Sequence, residues 1–499
     1  MLAHVFARDV PDGKQDAVSF VIACAVLVRL TKITKRDRAV GCRDDLRKED
    51  VFRGSSEHVT ATDAALGFHE SGSLEDEENL LEVRLRQTRS RSDVTYRGWS
   101  TFVGMKSERE ECATRIVTTG RNAHTCSVGP VHEPRIPRYA DGCVSGVVPA
   151  LLGPHGTTTL PPWFPAGVRG ARQVVLLVLD GLGWHQLRRY AHRAPTLAAM
   201  EGGAITTVAP STTVTALTSI ATGLTPGEHG LIGYRIDMGG HVVQMLRWGD
   251  ERGDLRAVYP PATVQPTPPF LGASVPVLSK AELEGSAFTE AHLRGTKPMG
   301  WRAPSSIPVT VRSLLDAGAP FVYAYYDGVD KIAHERGFGE YYEAELGAAD
   351  RLVADVMDVL PKGAALVVTA DHGQVMVGDA TIVPDRALIR MVTHQSGEGR
   401  FRWLHLRSGA NDDALALARE RYGDVAWVVE RDHVIEHGWF GPRVSDVVRR
   451  RMGDVALVPF ADVSFSDPLD SGPFVLQCRH GSLTPEEMDV PLLAFQAVN

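Results

Sequence analysis

Cysteine is scarce in this chain of 499 residues, which contains six. None lies between Cys143 and Cys478, and the others precede residue 130 (Cys24, Cys42, Cys112 and Cys126). So few cysteines exclude a disulfide scaffold and a cysteine-based metal site in the main body of the chain.

Long apolar runs are also missing. The longest early run, residues 17–28, is shorter than the roughly 20 residues that a membrane-spanning helix needs. Asp9, Asp12 and Asp16 precede this run and no small-residue cleavage site follows it, which is untypical of a secretory signal peptide. We therefore expect a cytoplasmic protein without a membrane partner, and the sequence leaves its oligomeric state open.

The chain has no excess of positive charge. It contains 53 Lys and Arg against 61 Asp and Glu, which gives a net charge of −8. Affinity for nucleic acids comes from clustered basic residues that release counterions. We therefore expect no nucleic-acid binding, while a hydrophobic content of 43% is typical of a globular protein.

Two compositions meet near residue 137. Residues 31–135 mix acidic and basic side chains and have few apolar residues at helical or strand spacing. Such a segment buries too little apolar surface to offset its ordering entropy. We therefore expect a poorly ordered N-terminal extension over residues 1–136, with a regulatory or partner-binding arm as the alternative, and a catalytic domain over residues 137–499.

After residue 136, strand and helix patterns alternate. Residues 174–179, 321–325 and 365–369 form short, mostly apolar runs, which are typical of buried parallel strands. Residues 340–360 instead carry apolar side chains at spacings of three and four, which predicts an amphipathic helix. The alternation predicts an α/β fold, a three-layer sandwich around a mostly parallel central sheet.

Two segments interrupt this alternation. Residues 240–308 include a proline-rich stretch and predict a cap that covers one end of the sheet. Residues 386–438 predict a small α+β insertion, with strand-like residues 401–406 and 425–429 around helical residues 412–422.

Acids and histidines follow the apolar runs. Ligands of an open α/β sheet gather beyond the carboxyl ends of its strands, so these positions are the first candidates for a site. Aspartate and neutral imidazole are good ligands for Zn²⁺ or Mn²⁺. The motifs are Asp180-Gly181, Asp327 to Asp330 with His334, Asp371-His372-Gly373 and His480-Gly481. The apolar residues 474–477 predict a further strand before the last of these motifs.

A candidate nucleophile lies in residues 210–219, which predict a helix start, with Gly223 as its end. A hydroxyl at a helix N-terminus lies beside free N–H groups and the positive end of the dipole, where a phosphate binds. Plain capping by Ser211 or Thr212 explains the pattern equally well. These residues alone do not single out Thr213.

Together with residues 222–230, these motifs resemble in order the type I phosphodiesterase and nucleotide pyrophosphatase branch of the alkaline phosphatase superfamily. The resemblance covers about residues 145–499. It implies an alkaline phosphatase-like fold and metal-dependent hydrolysis of a phosphate ester or diphosphate bond in a small-molecule or nucleotide-like substrate.

The same resemblance implies two divalent ions, usually Zn²⁺, with Mn²⁺ as the alternative. One ion would be held by Asp180, Thr213, Asp371 and His372, and the other by Asp330, His334 and His480. Thr213 matches the nucleophile, which would form a phospho-threonine intermediate, because the family pattern places it three residues after a proline. His229 matches a structural histidine.

One departure from the family pattern concerns the substrate. A phosphoryl-binding asparagine of better-known relatives falls on Tyr234, so a phenol would have to replace the amide donor. No arginine stands in residues 210–223, which favours a diester or diphosphate over a monoester dianion. An arginine reaching in from elsewhere would reverse this preference, and the candidates are Arg235, Arg294 and Arg302.

Several other functions remain open. A phosphomonoesterase or a phosphonate hydrolase of the same superfamily would use the same ligands. A phosphosugar mutase would need a larger inserted domain than residues 239–306 provide. A catalytically silent metal-binding or interaction protein is the alternative from another class.

Overall fold

A computed structural model of the chain describes residues 132–470 and 475–498. Residues 1–131 of the predicted extension lie outside this part, but its last residues contact the main body. The Arg135 N–H donates to Leu483 O at 2.8 Å, and its guanidinium pairs with Asp489 at 2.9 Å. Within the described residues, no helix has the length and apolar character needed to cross a membrane.

The helices of the described part alternate with strands along the chain. In chain order they are α1 (Val147–Leu152), α2 (Trp184–Arg189), α3 (Pro195–Ala199), α4 (Thr213–Thr222), α5 (Pro226–His229), α6 (Pro261–Val264), α7 (Ala287–Leu293), α8 (Ser306–Asp316), α9 (Gly328–Arg336), α10 (Glu340–Asp358), α11 (Arg386–Met391), α12 (Asn411–Tyr422), α13 (Arg431–Glu436), α14 (Asp446–Arg451) and α15 (Pro485–Met488). The strands are β1 (Gln173–Leu179), β2 (Glu201–Thr206), β3 (Arg235–Asp237), β4 (Val242–Gln244), β5 (Gly249–Asp250), β6 (Gly253–Asp254), β7 (Pro276–Leu278), β8 (Lys297–Pro298), β9 (Phe321–Tyr326), β10 (Ala364–Thr369), β11 (Val375–Met376), β12 (Thr381–Ile382), β13 (Val392–Glu398), β14 (Phe401–Leu406), β15 (Ala426–Glu430), β16 (Val455–Pro459), β17 (Ser464–Phe465), β18 (Cys478–Arg479) and β19 (Asp489–Gln496).

The central sheet has the strand order β2-β19-β10-β1-β9-β7-β8. Strand β1 lies between β10 and β9 and is parallel to both. Among these strands, β19 is the antiparallel member, paired with β10 and β2. The prediction of an α/β fold with a mostly parallel sheet is confirmed.

Both faces of this sheet are covered. Every residue of β9 and β10 is buried, and so is every residue of β1 after Gln173. Because successive side chains point to opposite faces, burial of all of them requires a layer on each side. Helix α10 has the predicted amphipathic pattern, with Leu346, Ala349 and Val353 among its buried residues.

The segment predicted as a cap does more than cover the sheet. Its strands β7 and β8 extend the sheet beyond β9 with parallel pairing. Strand β7, the apolar residues 276–278, pairs with the edge of β9, which would otherwise expose unpaired backbone groups. Helix α7 of the same segment lines a cavity beside the candidate nucleophile.

The small α+β unit has its own sheet, in the order β13-β14-β16-β15. Strands β14 and β15 and helix α12 lie where the sequence predicts them. The sheet takes its fourth strand from residues 455–459, so the unit extends past the predicted end at residue 438. Leu457 pairs with Arg402 on one side and Val428 on the other, which makes this apolar run a central strand.

The strand predicted over residues 474–477 is not found in the described part. Phe474 lies outside it, and residues 475–477 have no strand structure. The place beside β10 is taken by β19, a longer apolar strand. His480 instead follows β18, a two-residue strand that pairs with β11.

Candidate active site

The ends of three neighbouring strands bring three carboxylates together. Asp180 directly follows β1, Asp371 follows β10, and Asp330 lies in the first turn of α9 after β9. The Asp330 N–H donates to Asp180 O at 3.0 Å, and the Gly181 N–H donates to Asp371 Oδ1 at 3.0 Å. The predicted strand-end motifs therefore meet at one edge of the sheet.

The glycine of the first motif is required by this geometry. Gly181 has a φ of 73°, in the left-handed region that disfavours other residues. A Cβ at this position would lie 2.8 Å from Asp330 Cβ. Any larger residue would push Asp330 away from Asp180.

Asp180, Asp371 and His372 form the first cluster. His372 Nε2 lies 3.5 Å from Asp180 Oδ1 and 3.5 Å from Asp371 Oδ2. Thr213 Oγ1 lies 3.1 Å from the same nitrogen. The potential ligand atoms of the two carboxylates and the imidazole all lie within 4.8 Å of one another, close enough for one ion.

Asp330, His334 and His480 form the second cluster. Asp330 Oδ1 lies 3.3 Å from His334 Nε2, one helical turn later on α9, and 3.9 Å from His480 Nε2. The rings of His372 and His480 stack with their centroids 3.6 Å apart, which joins the two clusters. The structure thus brings all seven predicted ligand residues into one place.

The three imidazoles share one tautomer. His334 Nδ1 lies 2.7 Å from Cys478 O, His480 Nδ1 lies 2.9 Å from Ser211 O, and His372 Nδ1 lies 3.1 Å from Gly373 O. A carbonyl oxygen only accepts, so each Nδ1 donates. Each neutral ring then directs the lone pair of its Nε2 into the cluster, the arrangement of metal-binding histidines.

Two carboxylate oxygens in the cluster lack a partner. Asp180 Oδ1 and Asp371 Oδ2 are buried and accept no hydrogen bond within the described part of the chain. Burial, together with the neighbouring carboxylates, raises the pKa of Asp180 well above its ordinary value, and burial lowers the pKa of His480. A cation would offset the repulsion of the carboxylates, so these residues fit divalent metal ions.

Thr213 is the first residue of helix α4, and Gly223 terminates the helix as its C-cap, as predicted. The side chain of Thr212 makes no capping bond. Ser211 Oγ donates to Ser482 O at 2.7 Å and accepts from the Gly481 N–H at 3.1 Å, which ties the helix start to the loop of His480. Capping therefore does not account for the hydroxyl residues at this helix start.

Two supporting side chains were missed by the sequence analysis. The Tyr325 O–H donates to Asp180 Oδ2, and Gln374 Nε2 donates to Asp330 Oδ1 at 3.0 Å. Gln374 follows the Asp371-His372-Gly373 motif directly, which is a signal that sequence reasoning could have used. His229 is buried, with Nε2 2.9 Å from Ser219 Oγ and Nδ1 accepting from the Leu231 N–H at 3.1 Å, a structural setting.

Thr213 lies where two cavities meet. The first, of about 430 Å³, has mostly apolar walls. The second, of about 290 Å³, also exposes much apolar surface but is lined by a higher proportion of ionisable residues, among them Glu398, Arg400 and Arg479, and we call it the polar cavity. Both cavities also share Leu246, Asp330, His334 and Leu476. The apolar walls of the first include Leu217, Leu283, Phe288, Leu293 and Tyr323.

The polar cavity contains Tyr234, Glu398 and Arg479, of which the sequence analysis singled out only Tyr234. Arg479 Nε is buried without a hydrogen-bond partner within the described residues. Arg235, a candidate from the sequence, does not serve as the arginine of the polar cavity. Its guanidinium pairs with Asp467 at 2.6 Å and with Asp470 at 2.9 Å. Arg400 also lines this cavity, but its guanidinium pairs with Glu487 at 2.7 Å. Arg479, which precedes His480, is therefore the better candidate to bind a phosphoryl group beside Thr213.

Comparison with known proteins gives one family match. The sequence model of the type I phosphodiesterase/nucleotide pyrophosphatase family matches residues 174–472. No curated protein matches the chain.

Solved structures similar to this chain include murine ectonucleotide pyrophosphatase/phosphodiesterase 5, with 14% identity, a TM-score of 0.49, and coverage of 65% of this chain and 90% of that one. Phosphonoacetate hydrolase from Sinorhizobium meliloti in complex with phosphonoformate has 18% identity, a TM-score of 0.48, and coverage of 65% and 90%.

Proposed function

The chain belongs to the type I phosphodiesterase/nucleotide pyrophosphatase family and is therefore a hydrolase of phosphoric ester or diphosphate bonds, and from this premise we propose that it cleaves a phosphodiester or diphosphate through a phospho-threonine intermediate on Thr213. We also propose that the protein binds two divalent ions, Zn²⁺ or Mn²⁺, and that it is located in the cytoplasm.

One observation carries the proposal: Thr213 lies between two cavities, and of these two only the second is lined by arginine. A diester or diphosphate has two substituents on the phosphorus that reacts, whereas a monoester has one. The first cavity suits an aromatic or aliphatic substituent, because most of its exposed surface is apolar. The polar cavity then receives the second substituent beside Tyr234 and Arg479.

The ligand residues of the two ions would be those of the two clusters. Asp180, Asp371 and His372 would hold one ion beside Thr213. Asp330, His334 and His480 would hold the other. When bound, such ions lower the pKa of a hydroxyl and neutralise charge on the reacting phosphoryl group. Zn²⁺ and Mn²⁺ are the candidates because both metals accept nitrogen and oxygen ligands.

The chain itself supplies the nucleophile and its orientation. Thr213 Oγ1 attacks phosphorus, so that a bond from Oγ1 to phosphorus forms while the bond to the departing oxygen breaks. Water then cleaves the phospho-threonine and restores the hydroxyl. The first turn of α4 offers N–H groups without an intrahelical partner, which bind the phosphoryl oxygens.

A second candidate, a phosphomonoesterase, is favoured by Arg479. The additional negative charge of a monoester dianion is held best by a cationic clamp. Arg479 lines the polar cavity with an unpartnered Nε, so the lack of an arginine near Thr213 no longer argues against a monoester. The apolar cavity still favours a diester as the substrate, because a monoester has no second substituent to occupy a second cavity.

The deciding experiment compares kcat/KM for bis(4-nitrophenyl) phosphate and 4-nitrophenyl phosphate at one Zn²⁺ concentration. We expect the diester to be the better substrate. Arg479→Gln should lower the diester value by roughly 10- to 100-fold, because a hydrogen bond to a charged group is lost. Arg449→Gln, which removes a surface pair with Asp432, is the matched control. A monoester preference that Arg479→Gln abolishes would establish the second candidate instead.

A further inference from the structure

A further group of metal-ligating side chains lies outside the active site. Asp237 ends strand β3, while His394 and His405 stand opposite each other on β13 and β14. Asp237 Oδ2 lies 3.0 Å from His394 Nε2 and 3.4 Å from His405 Nδ1. Asp237 and His405 are buried, and a potential ligand atom of each residue lies within 4.8 Å of the others.

The protons of His394 can be assigned from its neighbours. The Thr393 O–H donates to His405 O at 2.8 Å, so its oxygen accepts the proton of His394 Nδ1 at 3.1 Å. A neutral His394 then directs the lone pair of Nε2 at Asp237 Oδ2. Two lone pairs at 3.0 Å repel each other unless a proton or a cation lies between them.

His405 brings a second nitrogen to the same oxygen. Its Nε2 lies 2.8 Å from Ser396 Oγ, which leaves Nδ1 to face Asp237. The His394 and His405 rings stack at 4.1 Å with an interplanar angle of 17°. Asp237 Oδ2 therefore faces one nitrogen of each of the two stacked rings, at 3.0 Å and 3.4 Å.

We propose that Asp237, His394 and His405 form a third metal site, which binds Zn²⁺ or a similar divalent transition-metal ion. Two imidazoles and one carboxylate are a common ligand set for such ions. The hydroxyl groups of Thr393 and Ser396 fix the orientation of the two rings, as outer-shell partners do in metal sites. A cleft of about 730 Å³ beside Asp237 and His394 gives water access to the remaining coordination positions.

The position of the cluster suggests a structural role for this ion. Strand β3 directly follows Tyr234, and β13 ends at Glu398. Both of these residues line the polar cavity of the active site. An ion bound to Asp237, His394 and His405 would join the two strands that carry this wall. The inference is independent of the proposed function, because it concerns metal content and not turnover.

Metal analysis tests the proposal. The variant Asp371→Asn/His480→Gln removes a ligand from each active-site cluster and serves as the background. After dialysis against Zn²⁺ and gel filtration, adding His405→Gln should lower the metal content by one equivalent per chain. His241→Gln is the control, because His241 lies in the same cleft but pairs with Asp250 at 3.1 Å. Equal metal content with and without His405→Gln would overturn the proposal.

A milder variant guards against loss of folding. Thr393 is exposed, so Thr393→Val should leave the circular dichroism spectrum unchanged. It removes the acceptor for His394 Nδ1 and should weaken Zn²⁺ binding to the background variant by roughly 10- to 100-fold. An unchanged affinity would contradict the third site and leave an ion pair between Asp237 and a protonated His394 as the explanation.

Discussion

His334 Nε2 and His480 Nε2 lie 3.2 Å apart, and each ring has its Nδ1 proton committed to a backbone carbonyl. Two imidazole lone pairs at this distance repel each other unless a proton or a cation stands between them. Asp330 Oδ1 lies within 3.9 Å of both nitrogens, so a cation there would meet three ligand atoms at once.

We therefore predict that His480→Gln weakens binding of one of the two active-site ions. The expected loss of affinity is roughly 100-fold or more, since even outer-shell changes cost 10- to 100-fold. Equilibrium dialysis followed by metal analysis measures it. His437→Gln, at an exposed histidine, is the control, and equal metal affinity in the two variants would contradict the assignment.

A second prediction concerns the nucleophile. Thr213→Val preserves side-chain volume but removes the hydroxyl, and we expect kcat to fall by roughly 10⁴-fold or more. Thr215→Val in the same helix is a matched control, because the Thr215 hydroxyl is buried without a partner within the described residues. Turnover of bis(4-nitrophenyl) phosphate is the measurement, with metal content checked in parallel. A Thr213→Val enzyme that retains metal and works at the rate of the Thr215→Val enzyme would assign another nucleophile.

The central sheet could be predicted because its signals are local. The strands β1, β9 and β10 are continuous apolar runs, and each run is followed by its acid within a few residues. The parallel arrangement then brings Asp180, Asp330 and Asp371 to one edge without further information.

The walls of the site could not be predicted in the same way. Glu398 ends β13 in the small α+β unit, and Arg479 is the second residue of the two-residue strand β18. Both reach Thr213 through long-range packing that leaves no periodic pattern in the sequence. The same holds for Asp237 and His394, which are separated by 157 positions.

The shared wall of the two cavities gives a third prediction. Leu246 lines both cavities and its exposure is 44%, so Leu246→Ser should not disturb the fold. We expect kcat/KM for bis(4-nitrophenyl) phosphate to fall by roughly 5- to 20-fold, because partial loss of an apolar contact costs about 1–2 kcal/mol. Leu469→Ser, at a leucine with 46% exposure beside the other cleft, is the control. Equal effects of the two variants would show that the substrate does not contact Leu246.

The last prediction concerns how the stability of the chain changes between weakly acidic and neutral pH. Glu398 is buried, and burial raises the pKa of its carboxyl to about 8 despite a hydrogen bond with Thr212. The folded state therefore favours the protonated form. A group with a raised pKa stabilises the fold fully below its unfolded pKa, and this contribution is lost as the pH rises through the folded value.

Stability of the wild-type protein should therefore fall from about pH 5 to pH 8, with a slope from this group of up to about 1.4 kcal/mol per pH unit between its two pKa values that vanishes above about pH 9. Glu398→Gln keeps an uncharged side chain of similar shape and should reduce that slope. Urea unfolding at about pH 5.5, 6.5 and 7.5 measures it, and Glu420→Gln, at an exposed glutamate, is the control. If the Glu398→Gln protein loses stability as steeply as the control, deprotonation of Glu398 is not the cause, because only the control retains this carboxyl.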